Sequence, residues 1–291
     1  MKHTIYTSDK GRLVILKHYE QYLKSFDFAI ERVMVETTFG KTHVLMAGPK
    51  EGKPLLIFQG GNCINPMTLA WFKPLVKKYR IYAPDTIGHP GYSTQTRISA
   101  KDQSFAQWIA QLMDFFHIQK CAVLGPSFGA GIILRLAAYL PERIDCAVLV
   151  SPAGIKLGSK IEMLQKIFMP LLQFKKTSSI KYLKQITDCM SAGNMKESDH
   201  EIIGDIFRFV KLEQGMPKLT TRDELANFSA PTLIIAGEED IFFPENKVKK
   251  RAEQIVPNLT AFYSLNMGHF PSGNQLQTIN HTIQNFFEKY Y

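Results

Sequence analysis

The sequence predicts an α/β protein: a mostly parallel, eight-stranded sheet flanked by helices, with a helical segment inserted between two halves of the core. Three observations carry this. Short β-branched runs alternate with amphipathic helical patterns over residues 32–151 and again over 232–290. Between them, over residues 152–231, the alternation stops and helical spacing takes over. Within the first half, a short apolar run ends abruptly at Gly125-Pro-Ser-Phe-Gly129, and a helical pattern follows at once.

The strand-like runs are residues 32–37, 43–47, 55–59, 80–84, 120–125, 147–151, 232–237 and 259–265. Helical patterns occupy 68–78, 104–116, 130–140, 246–255 and 275–290. Such alternation predicts a doubly wound sheet, whose active groups collect at the carboxyl ends of the strands. The first two strands are placed to form an antiparallel hairpin. Residues 18–30 read as a helix outside this pattern, packed on the inserted segment or on the sheet edge. The inserted region has few β-branched clusters and is broken at Pro170, Gly193, Gly204 and Pro217. It is too long for a structureless loop, so a helical cap is expected. The expected division is a first core part, 1–152, carrying an N-terminal helical extension at 1–31; a cap, 153–228; and a second core part, 229–291.

The pentapeptide centred on Ser127 gains its meaning from its flanks. Gly-x-Ser-x-Gly by itself is often an ordinary tight turn, but between a strand and a helix it holds the serine on a sharp, strained bend with its hydroxyl above the sheet edge. Glycine at 125 and 129 leaves room for that bend. A hydroxyl is a weak nucleophile near neutral pH and needs a base, which in turn needs an orienting carboxylate. Asp240 lies just after the strand at 232–237, and His269 lies in the loop after the last strand. Singly, each would pass for a surface-loop residue. Together they give the chain order Ser127, Asp240, His269 after successive strands. Glu238 and Glu239 adjoin Asp240, and spacing alone does not separate the three acids.

These residues carry a resemblance. The chain resembles the alpha/beta-hydrolase superfamily from about Val33 to Phe287, through Phe58-Gln-Gly-Gly61, Ala83-Pro-Asp-Thr-Ile-Gly-His-Pro-Gly-Tyr-Ser93, Gly125-Pro-Ser-Phe-Gly129, Gly237-Glu-Glu-Asp240 and Gly268-His269. The stretch from Phe39-Gly-Lys-Thr-His43 to Ala47-Gly-Pro49 is most similar to small bacterial carboxylesterases. The resemblance implies the alpha/beta-hydrolase fold, a cap over the site and no cofactor. It favours Asp240 as the triad acid. It also implies an oxyanion hole of two backbone N–H groups, from Phe128 after the nucleophile and from Gly61 in the loop at 59–62. The family usually has His-Gly at that loop, where this chain has Gln59-Gly60. Asn62 is a candidate additional donor, and Phe168 and Phe174, with Met169, Leu172, Phe207 and Phe209, are candidate cap residues lining an acyl or alcohol pocket.

The expected activity is hydrolysis of small-molecule carboxylic esters through an acyl-enzyme. The same triad would serve thioesters, lactones, amides or carbon–carbon bonds, and a ligand-binding or signalling module with a vestigial site is the alternative outside enzymes. An aspartate nucleophile, as dehalogenation needs, is not what stands at 127. Asp85 and His89, in the loop after the fourth strand, are expected to hold that turn or line a pocket rather than act as acid and base.

Composition limits the rest. The 45% hydrophobic content supports a sizeable core. No run of about 18 apolar residues predicts a spanning helix. The first residues lack an apolar signal core. The four cysteines, Cys63, Cys121, Cys146 and Cys189, show neither metal-type spacing nor a disulfide framework, and a cytoplasmic setting is expected. No metal is expected, since His-Glu-x-x-His and Cys-x-x-Cys patterns are missing. The net charge of +9 is concentrated at Lys156, Lys160, Lys166, Lys175, Lys176, Lys181 and Lys184, against the single acid Glu162. Such a run can steer anions or touch an acidic membrane, but a solvated helix face is the ordinary outcome, so no membrane contact is expected. Nucleic-acid binding is not expected either, because no aromatic residues interleave with these lysines in a recognisable motif. The oligomeric state is left open.

Overall fold

The computed structural model describes residues 4–291. Its eight strands form one sheet: β1 (Glu31–Thr37), β2 (Gly40–Ala47), β3 (Pro54–Ile57), β4 (Arg80–Pro84), β5 (Cys121–Pro126), β6 (Ile144–Val150), β7 (Thr232–Gly237) and β8 (Leu259–Leu265). They lie in the order β1-β2-β4-β3-β5-β6-β7-β8. The β1–β2 hairpin and the β2–β4 pair are antiparallel, and every later pair is parallel. All eight expected strands are present. The largest boundary differences are in β2 and β6, each of which begins three residues early, at Gly40 and at Ile144: Ile144 and Cys146 are buried, and Asp145 between them pairs with Lys120 at 3.0 Å.

Residues alternate between the two faces of the central strands, as a sheet covered on both sides requires. On one face Ala122, Leu124, Cys146, Val148, Val150, Leu233 and Ile235 meet α2 (Asn65–Trp71) and α10 (Gly273–Tyr290). On the other, Val123, Ala147, Leu149 and Ile234 meet α3 (Ser104–Phe115), α4 (Phe128–Tyr139) and α9 (Glu245–Ile255). The start of α10 is set by a capping box between Ser272 and Gln275. A 3-10 turn at Lys73–Lys77 follows α2, so the helical pattern expected at 68–78 is split at Phe72.

The N-terminal helix α1 spans Asp9–Lys24, beginning nine residues before the expected stretch. Ser8 caps it, its hydroxyl accepting from the Gly11 N–H at 3.0 Å, which fixes a start that hydrophobic spacing alone does not mark. Four helices occupy the inserted region: α5 (Lys160–Met163), α6 (Met169–Thr177), α7 (Ile180–Ser191) and α8 (Glu197–Phe209). A π-helical turn at Leu164–Phe168 joins α5 to α6. Helix α1 packs on α8 and α2, and His18 pairs with Asp205 of α8 at 2.8 Å. The inward side chains of the inserted helices, among them Ile167, Phe174, Ile186 and Ile206, belong to the same apolar core as Ile15 and Tyr19 of α1.

Buried polar ties lock the loop after β4. Asp85 is fully buried, and its carboxylate accepts from the Tyr92 N–H at 2.8 Å, the Tyr19 hydroxyl at 2.7 Å and the Asn65 amide at 3.0 Å. The turn-holding role expected of Asp85 is therefore joined by a second one, anchoring α1 to the sheet. Burial, reinforced by the adjacent Asp85 charge, pushes the Tyr19 phenol well above its usual range, so it stays a donor.

Candidate active site

The bend at residue 127 follows from close packing of the chain on itself. Ser127 has φ 52° and ψ −118°, a left-handed conformation that a side-chain-bearing residue rarely adopts. It follows β5 directly and immediately precedes α4. A Cβ on Gly125 would stand 2.6 Å from the Gly129 carbonyl carbon, and one on Gly129 would stand 2.5 Å from the Phe58 oxygen, so both flanks must be glycine. The Ser127 N–H donates to Val150 O at 2.9 Å, and its carbonyl accepts from Gly131 at 3.1 Å and Ala153 at 3.2 Å. These bonds to the ends of β6 and α4 hold the strained residue in place. Its side chain is only half-buried, while the turn around it is buried.

Asp240 sits three residues past β7 and is buried. One carboxylate oxygen accepts from the N–H groups of Phe242 at 2.9 Å and Phe243 at 3.1 Å; the other lies 2.8 Å from His269 Nδ1. Burial alone would raise the Asp240 pKa. The His269 charge and hydrogen bond, with the two N–H donors, outweigh it and hold the carboxyl below the usual range. Glu238 and Glu239 are exposed. Of the three acids that spacing left open, Asp240 is the one that meets the histidine.

The His269 ring is wrapped by Phe242, Phe243 and Phe270, with ring centroids at 5.0, 5.6 and 5.8 Å. Its loop is anchored to the inserted helices: the Phe270 N–H donates to Met190 O at 2.9 Å, near the end of α7. With Nδ1 bonded to Asp240, the remaining ring nitrogen, Nε2, is left outside that bond.

Gly61 and Phe128, the two expected oxyanion donors, are neighbours: a Cβ on Gly61 would lie 3.0 Å from Phe128 Cβ. The Gly60 N–H is already committed to Thr68 Oγ1 at 3.1 Å. The main-chain hydrogen bonds of loops and turns use neither the Gly61 nor the Phe128 N–H. Phe128 is the first residue of α4, where N–H groups lack intrahelical acceptors and the helix dipole favours negative charge. Gln59 explains how the loop tolerates its departure from His-Gly. Its buried amide accepts from the Thr86 N–H at 2.8 Å and donates to Pro90 O at 3.2 Å, tying the loop to the segment after β4. His89 lies in that segment, its ring 4.6 Å from the Phe128 ring, and burial pulls its pKa down to about 4, so it is neutral and lines the site.

Two expectations about the pocket need correction. Asn62 is not a free donor: its amide donates to Glu213 O at 3.2 Å and its side-chain oxygen accepts from the Glu213 N–H at 2.7 Å, which straps the loop to the chain after α8. Phe174 is fully buried between Phe207, 6.3 Å away, and the Arg208 guanidinium, 4.8 Å over its ring, so it is core of the inserted helices. Phe168 is half exposed. A small cleft beside Phe270, the residue after His269, is lined by Tyr22, Trp71, Met195, Lys196 and Asp199. Burial raises the Asp199 carboxyl, which accepts from the Tyr22 hydroxyl at 3.3 Å. Phe270 and Trp71 lie close in sequence to motif residues and were within reach of sequence reasoning. Tyr22 and Asp199 were not, since they meet only through the packing of α1 on α8. Cys63, beside the oxyanion loop, is buried and its thiol is pushed up to about 12, which removes it as a rival nucleophile.

Comparison with known proteins agrees with this architecture. A model of the alpha/beta hydrolase fold family matches residues 53–200. Carboxylesterase YbfK of Bacillus subtilis (strain 168) is 27% identical over 273 residues, spanning 92% of this chain and 91% of that protein. The uncharacterized carboxylesterase nap of the same organism is 25% identical over 303 residues, spanning 96% and 94%. The crystal structure of naproxen esterase (carboxylesterase NP) from Bacillus subtilis superimposes with a TM-score of 0.83 at 22% identity, over 96% of this chain and 99% of that one, which shows a shared fold.

Proposed function

Given that the chain belongs to the alpha/beta hydrolase fold family, we propose that it is a carboxylesterase-type serine hydrolase with Ser127 as nucleophile, His269 as base and Asp240 as orienting acid. The observation that carries the reading is the 2.8 Å bond between His269 Nδ1 and a buried, ionised Asp240, together with a serine on a strained bend at the end of β5. Strands β5 and β7 end on the same edge of the parallel sheet, which is where catalytic groups of such folds assemble.

In the proposed cycle His269 Nε2 takes the Ser127 proton as Oγ attacks the ester carbonyl. Asp240 holds the ring in the required tautomer and stabilises the imidazolium. The N–H groups of Gly61 and Phe128 receive the oxyanion, a contribution of roughly 3 kcal/mol per donor. Collapse of the tetrahedral species expels the alcohol, protonated by His269. Water activated by the same ring then releases the acid. Residues 153–228 act as the cap in this reading, and the similarity to YbfK and to nap over nearly the whole chain supports an ester as the small-molecule substrate. The cleft at Trp71 and Phe270 is the proposed entrance for the apolar part of that ester.

The test is turnover of p-nitrophenyl esters from acetate to palmitate, by the protein and by Ser127→Ala. The expected result is hydrolysis that peaks at one acyl length and is lost in the variant. Undiminished hydrolysis by Ser127→Ala, or none by the unaltered protein on any ester, overturns the assignment.

A further inference from the structure

From the outer face of the inserted helices we infer a docking surface for an anionic phospholipid bilayer. The structure adds to the lysine run something its charge pattern alone does not show. Ile161, Leu164, Phe168, Met169 and Leu172, along α5, the π turn and α6, are each about half exposed or more, and Ile180 at the start of α7 is 75% exposed. Ile167, Leu171 and Phe174 of the same run are buried, so the core is already supplied from this run and the exposed apolar residues form a second set that it does not take up. Lys160, Lys166, Lys175, Lys176 and Lys181 are exposed between and beside them. Large apolar side chains scattered singly on a surface need no partner, but several on one helical run do.

Charge chooses among the partners. In a symmetric dimer the same patch meets itself. Here that would press two lysine-rich faces together with Glu162 as their sole acid, so a second copy is disfavoured. Apolar residues that reach outward among exposed lysines are the signature of a helix lying in a membrane interface, its side chains inserted below the headgroups and its lysines at the phosphates. Each lysine near an anionic surface adds attraction, and the apolar set adds burial that a soluble anion does not offer. No helix among the described residues is long and apolar enough to cross a membrane, so contact would be with the surface only. This reading differs from the expectation of a merely solvated lysine face, and the two part on the exposed apolar residues. It does not depend on the proposed triad.

The test is flotation of the full chain with vesicles of phosphatidylglycerol mixed with phosphatidylcholine, against phosphatidylcholine alone, at low and high salt. The wild type should float with the anionic vesicles, stay behind with the neutral ones, and be released by salt. Lys175→Glu with Lys176→Glu should weaken partitioning by roughly tenfold or more. The triple variant Ile161→Ser, Leu164→Ser, Phe168→Ser should weaken it at least as much while its thermal midpoint is retained. No flotation with anionic vesicles, equal flotation with neutral ones, or flotation untouched by the triple variant would each overturn the proposal. So would a dimer in sedimentation that dissociates in the triple variant, which would assign the face to a second copy.

Discussion

At the carboxyl edge of the sheet, Asp240 and His269 are buried among Phe242, Phe243 and Phe270, whereas along α5 to α7 Ile161, Phe168 and Ile180 stand in solvent beside lysines. The first region places polar groups inside and satisfies them. The second places apolar groups outside and leaves them unpaired. Burying a carboxylate costs several kcal/mol unless donors surround it, and Asp240 has three. Exposing large apolar side chains also costs free energy, and here nothing among the described residues covers them. The comparison teaches where each region's constraint lies: the site is determined from within, and the outer helices by something they meet.

The largest expected effect sharpens the inner side of that contrast. Ser127→Ala should lower kcat on a p-nitrophenyl ester by about 10⁶-fold, leaving only background turnover, with the thermal midpoint essentially unchanged. Asp240→Asn should cost about 10⁴-fold, because the amide favours the wrong His269 tautomer, and circular dichroism should show an intact fold. Gly61→Ala brings a methyl to 3.0 Å from Phe128 Cβ and should disturb one oxyanion donor, lowering kcat by about 10²-fold with KM little altered.

A smaller effect concerns the junction between the regions. Arg135 of α4 is fully buried and pairs with Glu224 at 2.8 Å. Burial would raise the Glu224 carboxyl, but Arg135, the Thr221 N–H and Lys218 outweigh it and lower its pKa from 4.5 to about 2. A depressed carboxylate contributes stability that is fully present above its ordinary pKa and is lost as pH falls toward 2. Glu224→Gln should therefore destabilise the protein by about 1 kcal/mol at neutral pH, solvent screening the partly exposed carboxylate, and flatten the acid limb of a urea-unfolding series between pH 5 and pH 2. An unchanged acid limb would show that Arg135 finds another partner.

The sequence made much of this legible. Gly125, Ser127 and Gly129 are identified by their flanks because a bend that tight admits few residues. His269 follows from its position after the last strand, while position after β7 narrows the acid only to Glu238, Glu239 and Asp240, among which the family resemblance favours Asp240. Gln59 was recognised as a departure, but its bonds to Thr86 and Pro90 run to a loop that is remote in sequence. Phe174 was misplaced for a similar reason: the face of a helix that meets solvent, core or cleft depends on how its neighbours lie, and helical spacing alone does not say which.

The sequence by itself determined the eight-stranded sheet, the inserted helices and the order of the three polar residues, because strand and helix periods and a strained turn are local properties of the chain. Tertiary structure alone decided which of three adjacent acids meets His269, which N–H groups stay uncommitted near Ser127, and which apolar residues of the inserted helices face outward. Those outcomes rest on contacts between segments distant along the chain, such as Asn62 with Glu213, Phe270 with Met190 and α1 with α8, and no local pattern encodes their geometry.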